Sequence, residues 1–215
     1  MSKVYVYVVD RDFGFAPNPF HGYCTLATCK PMIRKRAHLG DWVIGMGGSR
    51  LKATGRCIFA MRVTDITTFN KYWENIDYLE KIPLRNGSRK MMVGDNIYHY
   101  DSSLDQWLQT DSHHSNIDGN VNLHNVRNDT KSDNVLISQH FYYFGEAAPV
   151  IPSNILDSIA YKNGRNYRVY DIKDCATLIG WLEDSFHKSL NLVIADPFDF
   201  TESERRYSVE DNKVS

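Results

Sequence analysis

Residues Val4 to Val9 read Val-Tyr-Val-Tyr-Val-Val, six positions without a single charged or amide side chain. β-Branched and aromatic residues favour extended backbone, and a strand lacking a polar side must be covered on both faces. The run is too short to span a bilayer, and Asp10 ends it. It also lacks the basic flank and small-residue cleavage site of a signal peptide, so the expected location is the cytoplasm, with no membrane partner. A chain of 215 residues allows one large domain or two small ones. The reading adopted is a single α+β domain over residues 1–200, a curved or barrel-like mixed sheet with a few flanking helices. The charged, apolar-poor segment 201–215 is read as a polar tail that frays.

Further elements follow from periodicity and punctuation. A short basic helix is expected within Thr28–His38, and a strand after the Gly40-Asp41 turn, through Trp42-Val43-Ile44. Gly55 to Ile66 reads as another strand. Thr67 to Ile82 carries a helical pattern that Thr67 or Thr68 can cap. The polar stretch from Asn86 to Asn134 predicts hairpins and loops rather than a helix, with apolar islands at Asn96–Tyr100 and Gln106–Leu108. Strands are expected at Val135–Phe144 and Tyr167–Tyr170, and an amphipathic helix over Cys175–Leu190.

The formal net charge of −1 argues against a dedicated duplex binder, which would be more basic. Any nucleic-acid role then rests on a local patch or on a pocket for one nucleotide. Four cations lie between Lys30 and Arg36, and Lys30 and Arg34 are the candidates to meet phosphate. Cys24, Cys29, Cys57 and Cys175 form no Cys-x-x-Cys pair, so neither a zinc clip nor a redox motif is signalled. They read as reduced, mostly buried thiols. No His-x-x-x-His spacing falls in a clear helix, and no metal or cofactor is expected.

Candidate chemistry concentrates in four places. The loop Asp10–Tyr23 is rich in proline and aromatics and leaves a buried strand, a frequent position for binding residues. From it, Phe15 and Phe20 are candidates to stack on a base, and Asp12 and Asn18 to read its polar edge. Trp42 and Tyr143 are further candidate ligand platforms, equally suited to a core. The glycines Gly45, Gly47 and Gly48 would let a ligand approach the backbone. The run Asp111-Ser112-His113-His114-Ser115 offers His113 as an acid or base with Asp111 orienting it. This loop is expected to face the same pocket as the Asn18 loop.

The run Asp12-Phe13-Gly14-Phe15-Ala16-Pro17-Asn18-Pro19-Phe20, followed by Cys24-Thr25-Leu26-Ala27-Thr28-Cys29-Lys30-Pro31, resembles the nucleotide modification associated domain 2 family. Gly40-Asp41-Trp42-Val43 and Phe141-Tyr142-Tyr143-Phe144-Gly145 extend the likeness over most of the chain. The resemblance implies a bacterial or phage setting near DNA-base modification or antiviral defence. It supplies no mechanism. Gly40, Asp41 and Val43 also resemble the turn before a barrel strand in PUA-like and EVE-like domains, which hold bases in aromatic pockets.

Two readings stand side by side. The first is a module that binds a nucleotide or modified base through Asp12, Phe15, Asn18, Phe20, Lys30, Arg34, Trp42 and Tyr143. The alternative is an enzyme acting on a nucleotide or nucleobase through His113 and Asp111. Either leaves room for a homo-oligomer or for a partner from a modification or defence system.

Overall fold

A computed structural model describes residues 2–215. In chain order the strands are β1 (Lys3–Val9), β2 (Cys24–Leu26), β3 (Trp42–Gly47), β4 (Cys57–Arg62), β5 (Asp65–Thr68), β6 (Tyr98–Asp101) and β7 (Gln106–Gln109). They continue as β8 (Asn134–Ser138), β9 (Phe141–Tyr143), β10 (Tyr167–Asp171), β11 (Leu192–Val193), β12 (Tyr207–Ser208) and β13 (Lys213–Val214). The α-helices are α1 (Pro31–Arg36), α2 (Phe69–Glu74), α3 (Arg89–Met92), α4 (Leu123–Asp129), α5 (Ser153–Ser158) and α6 (Ala176–Phe186). No helix of the described residues is long and apolar enough to cross a membrane.

The chain divides into two compact units. The first comprises Met1–Asp12, Ala37–Asp65 and Ser138–Phe198. Its mixed six-stranded sheet has the order β10-β1-β3-β4-β9-β11. β1 runs parallel to β3 and antiparallel to β10, so the sheet ends in open edges at β10 and β11. Among the described residues there is no closed barrel. β1 has the environment its composition demands: Val4, Tyr5, Val6 and Tyr7 are all buried. β3 is buried along its whole length. The glycines of β3 serve this packing rather than an open backbone. A methyl added at Gly45 would overlap the Phe59 ring, and one at Gly47 would overlap the Ala53 carbonyl. α6 buries Leu178, Ile179 and Leu182, one face of its turn-by-turn pattern.

The second unit comprises Phe13–Arg36, Ile66–Ile137 and Asp199–Ser215. It contains the three-stranded sheet β2-β8-β5, the β6–β7 hairpin and the β12–β13 hairpin. Thr68 caps α2 by accepting the Lys71 N–H. The expected single helix over Thr67–Ile82 stops at Asn75, whose side chain accepts the Asp77 N–H and starts a 3-10 turn over Ile76–Lys81. The polar stretch yields the expected hairpin, but it also holds α3 and α4, which periodicity did not signal. Asn122 nucleates α4 by accepting the N–H groups of His124 and Asn125. The C-terminal segment, expected to fray, is paired as β12–β13. Arg206 grips Asp111, and the Tyr207 N–H donates to the His113 carbonyl at 2.7 Å, contacts that polarity alone does not announce.

This unit also buries a charge. Lys81 is 0 % exposed, and its ammonium donates to Asn18 O and Oδ1, Tyr23 O and Thr25 Oγ1 at 2.8–3.1 Å. Burial lowers its pKa to about 8 against the opposing field of Asp95. Asp95 in turn accepts Thr25 Oγ1–H and Tyr72 O–H, both at 2.8 Å.

Candidate functional site

The segment between β2 and α1 makes an abrupt turn. Cys29 and Lys30 both adopt left-handed backbone conformations, with φ of 56° and 38°. Such geometry costs a non-glycine residue on the order of 1 kcal/mol and persists only where neighbours enforce it. Here both backbone polar groups of Cys29 are held. Its N–H donates to Asp129 Oδ1 at 2.8 Å, and its carbonyl accepts Arg34 Nε–H at 2.9 Å. Cys29 is therefore presented at a fixed angle. Of the four cysteines it alone is not fully buried.

Behind the thiol stands an imidazole. Cys29 Sγ lies 3.7 Å from His114 Nε2, and His114 Nδ1 lies 2.7 Å from Asp129 Oδ2. These residues are 85 and 15 positions apart in sequence. His114 and Asp129 are buried, and Tyr98 donates its hydroxyl to Asp129 Oδ2 at 3.0 Å. Burial disfavours a charged His114, but the Asp129 carboxylate and Cys29 beside it reverse this and raise its pKa well above the usual imidazole range. For Asp129, burial is likewise outweighed, by His114 and Arg34, and its pKa is lowered. The pair is thus an imidazolium against a carboxylate, aimed at a partly exposed sulfur.

His113, next in sequence, has the opposite character. Burial, helped by the charge of His114, lowers its pKa to about 3. Its Nδ1 meets the Arg205 carbonyl at 2.6 Å, so that nitrogen carries the proton of a neutral ring. The His113 ring packs on Phe13 and Phe15 at 4.4 and 5.1 Å between centroids, and His114 packs on Phe15 at 4.7 Å. The Asp111–Ser115 run thus meets the aromatic loop from the inside of the unit.

The other residues singled out from sequence have these environments. Arg34 is 0 % exposed and gives its guanidinium to the carbonyls of Cys29, Asp129, Ser132 and Asn134. Asn18 pairs with Thr25 through its backbone, donates to Gly14 O and Val93 O, and accepts from Lys81. Phe15 and Phe20 are each 3 % exposed, and Phe20 stacks on Phe200 at 5.4 Å. Lys30 is half-buried at the turn. In the first unit, Tyr143 donates its hydroxyl to Asp12, and Trp42 packs edge-on to His140 at 5.4 Å. Asp12, Trp42 and Tyr143 are all buried. Asp111 is ion-paired to Arg206.

Cys29, His114 and Asp129 bring one ligand atom each within 4.8 Å of one another, close enough to be weighed as a metal site. The hydrogen bonding argues otherwise. Asp129 Oδ2 is already engaged by His114 Nδ1 and the Tyr98 hydroxyl, and its Oδ1 by the Cys29 N–H, which leaves one sulfur and one nitrogen facing each other. Structural zinc takes four such donors and catalytic zinc three. Nearby, a concavity of about 750 Å³ is bordered by Ser115, Asn122, His124, Arg206 and Tyr207. The Tyr207 ring packs on His114 at 5.7 Å.

From sequence, Cys29 reads as one of four reduced, mostly buried thiols, and His113 rather than His114 as the acid or base. The available signal was a cysteine near the end of an unusual motif, with histidines and aspartates elsewhere in the chain. Geometry defines an α+β protein whose second unit holds a thiol against a buried imidazole–carboxylate pair. The chain belongs to the nucleotide modification associated domain 2 (Nmad2) family, whose profile matches residues 1–204. No curated protein and no solved structure matches it.

Proposed function

We propose that the protein is a thiol-dependent enzyme that transfers or hydrolyses an acyl-type group on a nucleotide- or nucleobase-bearing substrate. The observation that carries the reading is the line Cys29 Sγ···His114 Nε2, 3.7 Å, continuing as His114 Nδ1···Asp129 Oδ2, 2.7 Å. A nucleophile within reach of a base that a third group orients is the arrangement of covalent catalysis. In the reaction, Sγ forms a bond to the carbonyl carbon while the thiol proton resides on His114 Nε2. His114 then gives that proton to the departing nitrogen or oxygen as its bond to carbon breaks. Water or an amine attacks the resulting thioester, passing a proton back through His114, and the thiol is restored. Asp129 holds the ring and offsets its charge throughout. Membership of a nucleotide-modification family supports the substrate class and a setting in DNA modification.

A second reading is a module that only binds a nucleotide or modified base. The concavity beside Tyr207 favours it, since about 750 Å³ falls in the range of small-molecule pockets. Against stacking by Phe15 or Phe20 stands their burial at 3 % exposure.

Alkylation with iodoacetamide followed by peptide mapping separates the two. Cys29 should label ahead of Cys24 and Cys57, whose pKa values burial pushes up. His114→Ala should slow labelling of Cys29 on the order of tenfold. Incubation with acylated nucleosides and nucleotides should leave a mass adduct on Cys29 that Cys29→Ser abolishes. Labelling indifferent to His114→Ala, with no adduct from any acylated substrate, overturns the enzymatic reading.

A further inference from the structure

The hydrogen-bonded line does not end at Asp129. The backbone N–H of Asn122 donates to Gln109 Oε1 at 2.8 Å. A backbone N–H is only ever a donor, so this contact settles which way the Gln109 amide faces. Its Nε2 then points at Tyr98 Oη, 3.2 Å away, and at the His114 carbonyl, 3.0 Å away. Because the Tyr98 oxygen already receives a hydrogen from Gln109, its own hydrogen is directed to Asp129 Oδ2 at 3.0 Å. Asp129 thus accepts from Tyr98 on Oδ2 and from the Cys29 N–H on Oδ1, and its pKa is lowered because His114 outweighs burial. An ionised carboxylate has no hydrogen to give, so His114 Nδ1 carries the proton between them. Nε2 is left as the atom that faces sulfur.

We propose that Tyr98 is a positioning residue of the thiol relay: oriented by Gln109, its hydroxyl shares Asp129 with His114 and thereby sets how tightly His114 keeps its proton beside Cys29. The inference rests on the enzymatic reading of Cys29 given above. Burial, reinforced by Asp129, raises the pKa of Tyr98 well above its ordinary value, which keeps it a donor. The groups that bear on the relay are few. Asp129 faces His114 from α4, and Cys29 from the turn before α1. His113 stacks at 6.0 Å, and Phe15 and Tyr207 close the remaining sides. Arg34 lies against the Asp129 carbonyl from α1. Tyr98 is the one of these that modulates Asp129 through a neutral, removable hydroxyl.

The test is Tyr98→Phe, read by the pH dependence of Cys29 alkylation with iodoacetamide, alongside thermal melting. Without the hydroxyl, Asp129 is a stronger partner for His114, and the imidazolium is better held. The acid limb of the Cys29 profile should move to lower pH, giving about threefold faster labelling at a fixed pH on that limb. A profile that superimposes on wild type while the melting temperature falls assigns Tyr98 a packing role only and overturns the proposal. So does a shift to higher pH. Should Tyr98→Phe not fold, Gln109→Met removes the group that orients the hydroxyl. It should move the limb the same way by a smaller factor, and no movement again overturns the proposal. His114→Ala run in parallel keeps the two levels apart. If it leaves labelling unchanged, the enzymatic reading falls; if it slows labelling while Tyr98→Phe does nothing, only the role of Tyr98 falls.

Discussion

Arg34→Met tests the account of the site at its most buried point. The guanidinium donates to Cys29 O at 2.9 Å, Ser132 O at 2.8 Å and Asn134 O at 2.7 Å, and closely to Asp129 O. Methionine fills much of the same volume but leaves four carbonyls without this donor, two of them (Asp129 and Ser132) on buried residues and two (Cys29 and Asn134) on half-buried ones. Each buried stranded acceptor costs roughly 1 kcal/mol or more and the half-buried ones less, about 3 kcal/mol together. Relief from burying a cation offsets part of this, yet removing one partner from a buried charged network typically still costs about 3–5 kcal/mol. That is a large share of the roughly 5–15 kcal/mol that holds a domain folded. Urea unfolding followed by fluorescence measures it. Lys35→Met, at the exposed neighbouring position, is the control and should change stability by no more than about 0.5 kcal/mol. An Arg34→Met loss below about 1 kcal/mol would refute the reasoning. A normal stability combined with a weaker salt dependence of nucleotide affinity would restore Arg34 as a phosphate contact.

Other consequences follow from the same structure. Native His113, with its pKa lowered to about 3, refuses a proton that the unfolded chain accepts below about pH 6.5. Stability should therefore fall as pH drops through that window, by about 2 kcal/mol between pH 6.5 and 5, and His113→Gln should flatten the slope by one proton. An unchanged slope counts against a buried neutral ring. Lys81, lowered to about 8, has released its proton between pH 8 and 10.5 while the unfolded chain keeps one, so stability should rise with pH there. Lys81→Met should abolish that rise and lower stability by about 3–5 kcal/mol, as judged from chemical denaturation at several pH values. Gly45→Ala should cost about 1–3 kcal/mol because its methyl overlaps the Phe59 ring. A melting temperature equal to wild type would mean that the glycine serves something other than packing.

Much of the scaffold is legible in the amino-acid order, because the signals involved are local. The unbroken apolar run of β1, the Thr68 cap of α2, the paired islands of the β6–β7 hairpin and the apolar face of α6 each depend on residues within a few positions of one another. The motif from Asp12 to Pro31 likewise suffices to suggest the family. α4 escapes this reading. It buries Asn125, Val126 and Asp129, so its inner face is mostly polar and leaves no hydrophobic period to detect. The same helix supplies the relay's carboxylate. Arg34 shows the converse: in sequence it is one of four clustered cations, and only the path of the chain brings the carbonyls of residues 129, 132 and 134 around it. The thiol, imidazole and carboxylate meet through chain separations of 85 and 100 residues. No periodicity encodes such a meeting, since hydrophobic patterning specifies which face turns inward but not which polar groups then share the interior. What tertiary structure decided was the proton-bearing character of each buried group, because that depends on desolvation and on neighbours that the linear order keeps far apart.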